Sequence, residues 1–288
     1  MPDAQGQLRL HKPLKSSLKE YARGIAGGLL FSFPLLFTME VWWAGFSVTP
    51  GQLMLLLLAT YVLLLGYNRF AGMRPGSSWR SVFIDSVEEM GLGLVLAFLV
   101  LLMLNRIQLH GMELLEIMGK TVIEGMAVAI GVSVGTAQLG AQSDEDEQEA
   151  DELQIEQWSG KLKMAVLALC GAFIIGSNVA PTEEVLIIAY STTPLQLLVM
   201  VLVSLLLTIV IVYFSDFTGT NSKRSRHFMY ELTFDTCLSY LVALGGSGFI
   251  LWFFGRFDGE SFWGIFSQCI VLGLLASLGA SAARLLIK

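Results

Sequence analysis

Charge is scarce in this chain. Charged residues hold 15% of its 288 positions and hydrophobic residues 54%, which excludes an ordinary soluble domain, where about a quarter of positions are charged. Cysteine is scarce as well. Cys170, Cys237 and Cys269 each stand inside an apolar run, so no disulfide framework is expected and all three read as small core residues. The three histidines, His11, His110 and His227, fall at or beyond the ends of apolar runs, too scattered to share a metal. No phosphate-binding loop, no Gly-x-Gly-Asp membrane aspartate and no nucleophile beside a base is present, so neither an enzyme nor a nucleic-acid partner is expected. A cleavable signal peptide is not expected either, because residues 1–20 are polar and basic.

Long apolar runs dominate what remains. Spans are predicted over roughly 22–46, 51–69, 82–104, 112–138, 162–190, 195–214, 228–253 and 261–286, most of them near the ~20 residues that cross ~30 Å of hydrocarbon. The fold class is an all-α polytopic membrane protein with eight transmembrane helices. With the N-terminus cytoplasmic, Lys120 lies within a span and only Arg106 and Arg256 fall outside, which leaves fifteen of the 18 Lys and Arg on the inner side. That asymmetry places both termini in the cytoplasm. Trp42, Trp43, Trp252 and Trp263 come near outer ends, as an aromatic belt should. Spaced leucines in the basic segment 1–21 suit a helix on the cytoplasmic lipid surface, and an unstructured basic tail fits equally.

An acidic stretch, SDEDEQEADELQIEQ at 143–157, divides the chain and reads as a solvated linker, 142–160, or as a collector of cytoplasmic cations. The segments on either side, 22–141 and 161–288, align as tandem four-helix repeats. Thr49-Pro50-Gly51-Gln52-Leu53 falls on Thr193-Pro194-Leu195-Gln196-Leu197, and Glu40 then falls on Glu184. Farther on, Asp85 meets Glu231 and Glu89 meets Asp235, while Gly131 overlies Gly279. An even number of spans per repeat implies a pseudo-two-fold axis along the membrane normal.

Intramembrane acids are costly and mark function by default. Asp85 and Glu89, like Glu231 and Asp235, are four apart and share a helix face. Opposed carboxylates would share protons or hold a hard cation such as Ca²⁺ or Mg²⁺, with Glu184, Glu89 and Asp235 as candidate metal ligands. GSNVAPTEEVLII at 176–188 puts Pro181 and two acids inside an apolar run, which predicts a helix break near Pro181. Asn178, Thr182, Glu183 and Glu184 are the candidate ligands there. Glu116, Lys120 and Glu124 form an i, i+4, i+8 ladder, most simply a neutralised structural ion pair. Gly131 and Gly135, with Gly279 and Ala283, give small-residue faces for close helix packing.

GSNVAPTEEVLII resembles a signature of a family of uncharacterised bacterial integral membrane proteins, over most of the chain. The resemblance implies an eight-span protein of the bacterial inner membrane and supplies no activity. Gly176-Ser177 followed by Pro181 and Glu183 is similar, at longer spacing, to the repeats of calcium/cation exchangers, of which Pro34 and Glu40 are the only echoes in the first half. The Glu-Glu pair also resembles the opening of the intramembrane prenyl-protein-processing proteases, whose arginine is missing here. The expected function is cation transport, exchanger-like, through Glu40, Glu89, Glu184 and Asp235. A channel, which a homo-oligomer with an axial ring of acids would suit, and a scaffold or sensor built on the acidic loop are the alternatives.

Overall fold

A computed structural model of the chain describes residues 14–71, 78–138, 157–217 and 228–285. Those residues form ten helices and no strand. The first five are α1 (Leu14–Leu36), α2 (Met39–Ser47), α3 (Pro50–Phe70), α4 (Trp79–Met103) and α5 (Leu114–Gln138). The second five are α6 (Gln157–Val179), α7 (Glu183–Ser191), α8 (Pro194–Phe217), α9 (Phe228–Phe253) and α10 (Phe262–Leu285). Seven helices are long and apolar enough to cross a membrane, and α1 with α2 makes an eighth if the bent pair is one span. The acidic stretch 143–156 and the first thirteen residues lie outside the described residues, as does the Glu231 side chain.

Two of the predicted spans are split. The break at Pro181 comes where expected, between α6 and α7. The run 22–46 is split too, by an 84° bend between α1 and α2. Pro34 is the cause: its ring removes a helical N–H close to the end of α1. The turn is then closed by Thr38 N–H donating to Leu35 O at 2.9 Å and Thr38 Oγ1 to Pro34 O at 2.7 Å.

Each short helix leads into a long one through the same Thr-x-x-Gln device. Thr49 N–H donates to Gln52 Oε1 at 2.9 Å and Gln52 N–H to Thr49 Oγ1 at 3.4 Å. At α8 the corresponding distances, for Thr193 and Gln196, are 2.8 and 3.4 Å. Both capping boxes satisfy amides that a helix start leaves open.

Helix α5 is the axis of the first group, packed on α1, α2, α3 and α4. The contact with α1 is set by missing side chains: a methyl on Gly27 would come within 2.3 Å of Gly135 Cα. Gly171 of α6 and Gly279 of α10 meet in the same way, at 2.1 Å from the Gly279 carbonyl oxygen. In a bilayer, where burial of apolar surface hardly drives helices together, such close backbone packing is a main source of cohesion. A shared core containing Leu64, Ile130, Leu167, Phe173, Leu251 and Leu272 joins the two groups. Leu195, Leu198, Leu202 and Leu206 leave one face of α8 apolar and exposed, as lipid contact requires.

Candidate functional site

The first polar centre lies among α3, α4 and α5. Glu89 is partly buried on α4, and Asn68 Nδ2 donates to its Oε2 at 2.6 Å and to Ser86 Oγ at 3.1 Å. Ser133 Oγ on α5 donates to Asn68 Oδ1 at 3.1 Å. One amide thus ties three helices to one acid, and its donor is neutral. Asp85, one turn before Glu89, accepts from Ser81 Oγ at 3.3 Å.

A second centre, around Lys120, lies thirteen residues back along α5 from Ser133, about 20 Å at 1.5 Å per residue. Lys120 is buried at 7% exposure, and its Nζ donates to Glu116 Oε1 at 2.6 Å and to Arg106 O at 3.2 Å. Gly45 of α2 makes room for the stem, because a methyl there would meet Lys120 Cγ at 2.4 Å. The Arg106 guanidinium covers Trp42 at 4.1 Å from the ring centroid. Glu124 is 0% exposed and neither of its carboxyl oxygens has a hydrogen-bond partner. The predicted three-membered ladder is therefore a pair, Glu116–Lys120, with Glu124 left out of it.

Between these levels sits a cavity of about 30 Å³, lined by Ile123, Met126 and Ile130 of α5, Thr60 of α3, Ser177 of α6 and Phe253 of α9 among others. Thr60 Oγ1 is fully buried there without a partner. That volume is the size of one or two water molecules, and Thr60 and Ser177 are the polar side chains in an otherwise apolar lining.

The third centre is the α6–α7 break. Thr182 Oγ1 donates to Val179 O at 2.8 Å, and the Arg256 guanidinium donates to Pro181 O. Helix α9 delivers this arginine by ending in a left-handed residue, Gly255 at φ 69°, after which Arg256 N–H donates back to Leu251 O at 2.9 Å. Asn105 at φ 58° and Arg106 repeat that ending after α4. Glu184 is exposed in the first turn of α7. Its own backbone N–H, then Thr182 and the Arg256 charge, hold its carboxyl below the usual carboxylate range.

Asn178 does not face this break. Its Oδ1 accepts from Leu35 N–H at 2.9 Å, while Nδ2 donates to Phe31 O at 3.2 Å and Ile174 O at 2.5 Å. Its amide is committed to backbone, so the expected ion ligand is a brace between α6 and the kinked end of α1. Glu183 is exposed beside Glu184, and Glu40 occupies the same place on α2 as Glu184 on α7, in the first turn. Asp235 is partly buried on α9. Glu89, Asp235 and Glu184 form no common site: among the described residues no three His, Cys, Asp or Glu side chains converge as a metal would need. In the sequence Asn68 and Thr60 carry no assigned role, Arg256 reads only as an outer-side charge, and Pro34 only as an echo of the exchanger repeats. Asn68 had a signal, a lone amide near the end of an apolar run, whereas nothing in sequence linked Arg256 to Pro181.

Residues 20–287 match the model of an integral membrane protein family, DUF2391. No curated protein and no solved structure matches the chain.

Proposed function

Given that the chain belongs to the DUF2391 family of integral membrane proteins, we propose that it carries cations across the membrane, protons above all, by way of carboxyl groups inside the helix bundle. The observation that carries this reading is Glu89, an acid within a spanning helix whose hydrogen-bond donor is the neutral Asn68 amide. An acid kept only to hold helices together would be expected to face an arginine or lysine. A carboxyl held by an amide can exchange a proton or cation without breaking an ion pair. Ca²⁺ or Mg²⁺ would need several oxygens in one place, and no three of the described acids converge. Glu89 on α4 and Glu124 on α5, at two levels of the bundle with a water-sized cavity between them, suit protons better.

The chain is two four-span units, 22–141 and 161–288, joined by the acidic linker, with both termini on the cytoplasmic side of the bacterial inner membrane. Matched capping boxes at Thr49 and Thr193, and matched short helices α2 and α7, support the repeat. The basic-residue asymmetry supports the orientation.

Purified protein in liposomes with an internal pH dye tests the transport reading. Imposed ion gradients should drive proton flux in wild type and not in Glu89→Gln. Flux coupled to a second cation identifies an exchanger, and uncoupled electrogenic flux a channel. Absence of flux from folded protein overturns the proposal.

A further inference from the structure

We infer that Lys120 is a movable internal counter-ion, paired with Glu116 in the state described here and with Glu124 in a second state. The inference deepens the proton route just proposed and assigns its second station.

The three residues lie one turn apart on a single face of α5, at i, i+4 and i+8. Helix side chains lean toward the N-terminus, so Lys120 leans toward Glu116 and Glu124 leans toward Lys120. The ammonium can therefore meet either acid by a change of rotamer with its Cα fixed. Charge counting fixes the rest. Two carboxylates and one ammonium leave an excess negative charge, and a buried site does not hold one without a partner. With Lys120 on Glu116 at 2.6 Å, the remaining acid is Glu124, fully buried and accepting no hydrogen bond. The set is neutral when Glu124 keeps its proton.

Other charges do not substitute. Helix α1 offers Glu20 and Arg23, α3 offers Arg69, α4 offers Arg80, Asp85, Glu88 and Glu89, and α6 offers Lys161 and Lys163 at its start. These come near the other end of α5, where Gly24 meets Thr136 and Asn68 meets Ser133. Glu40 of α2, and Arg106, His110 and Glu113 before α5, are the charged or titratable groups near the Lys120 end. None of them hydrogen-bonds to Glu124. Arg106 turns its guanidinium onto Trp42 and only its carbonyl onto Lys120.

The exchange balances. Lys120 releases one proton to the Glu116 carboxylate, takes one from the Glu124 carboxyl, and is again an ammonium, now beside the Glu124 carboxylate. One proton has moved from the buried acid to Glu116, which is 26% exposed, and the net charge is unchanged. Glu116 then exchanges that proton with solvent.

Infrared spectroscopy of the full chain in lipid nanodiscs reads this without transport. At neutral pH wild type should show a protonated-carboxyl stretching band that Glu124→Asp displaces and Glu124→Gln removes. Glu116→Gln should abolish the same band, because Lys120 then turns to Glu124, and Lys120→Met should retain it. A Glu124 band that survives Glu116→Gln overturns the inference, and so does its absence from wild type. A band that moves in protein without proton flux keeps the lysine exchange and sinks the transport reading. Flux with an unmoved band sinks the exchange alone.

Discussion

The side chain of Asn178 accepts from the backbone N–H of Leu35, 143 positions away, at 2.9 Å. The same amide donates to Phe31 O. Leu35 N–H and Phe31 C=O are the donor and acceptor that a regular helix joins at i to i−4. Asn178 thus bridges the helix ladder at the point that Pro34 weakens.

In a bilayer, backbone groups freed near a proline need an internal partner. Asn178→Leu removes that partner and should destabilise the fold by about 1–2 kcal/mol. Ser177→Ala should stay within about 0.5 kcal/mol. Unfolding by a denaturing detergent in mixed micelles measures both. An Asn178→Leu variant as stable as wild type would mean that the bridge carries no stability.

The spanning helices were legible because hydrocarbon imposes a length on any apolar run. Pro181 was legible as a break because two acids follow it, whereas Pro34 sits among Phe33, Leu35 and Leu36 and carries no polar flag. The role of Asn178 could not be read locally, since its partners lie in another helix and present only backbone. Position 178 aligns with position 34 on the offset that matches Glu40 to Glu184, so the brace for the first helix stands where the second segment has no proline. The place of Glu124, unpaired in the state described, escapes the sequence for a related reason. Helical spacing says which groups share a face, and it cannot say which of two acids a single lysine takes.

Close approach of α2 and α5 gives a second prediction. A methyl at Gly119 would fall 1.9 Å from the Gly45 carbonyl oxygen, and backbone at that distance cannot yield without the helices parting. Gly119→Ala should cost about 3 kcal/mol or prevent folding. It should also displace Lys120, whose backbone N would lie 2.9 Å from a methyl at Gly45. Gly91→Ala, at a helical position with open space around it, should be neutral to about 1 kcal/mol stabilising. The same detergent titration compares them, and equal stability of the two variants would refute the contact.

Asn68 gives a third. Asn68→Leu takes the amide donor from Glu89 and the Asn68 Oδ1 acceptor from Ser133. Glu89 would then keep only neutral hydroxyls beside it, Ser86 on its own helix and Ser133 on α5. Proton flux should fall by at least about tenfold, the loss of roughly 1.4 kcal/mol of stabilisation at the site. Asn68→Gln, which keeps an amide, should recover part of it. Flux equal to wild type in Asn68→Leu would remove Asn68 from the route while leaving Glu89 to be judged by its own variant.

The last prediction concerns the α6–α7 break. A depressed carboxyl contributes stability that is present above its unfolded pKa and lost as pH falls through the folded one. Glu184 is exposed, so solvent screening leaves that contribution small and the titration itself is the better readout. Carbon-13 NMR of the Glu184 side chain should give a midpoint below the usual carboxylate range. Its backbone N–H is the largest cause, ahead of Thr182 and Arg256. Arg256→Gln should therefore raise the midpoint only part of the way, and Thr182→Val should raise it as well. Because Arg256 also donates to Pro181 O, the arginine variant alone should loosen the break, seen as faster amide exchange at Thr182 and Glu183. A Glu184 midpoint unchanged by Arg256→Gln would show that the guanidinium serves the Pro181 carbonyl and leaves the acid alone.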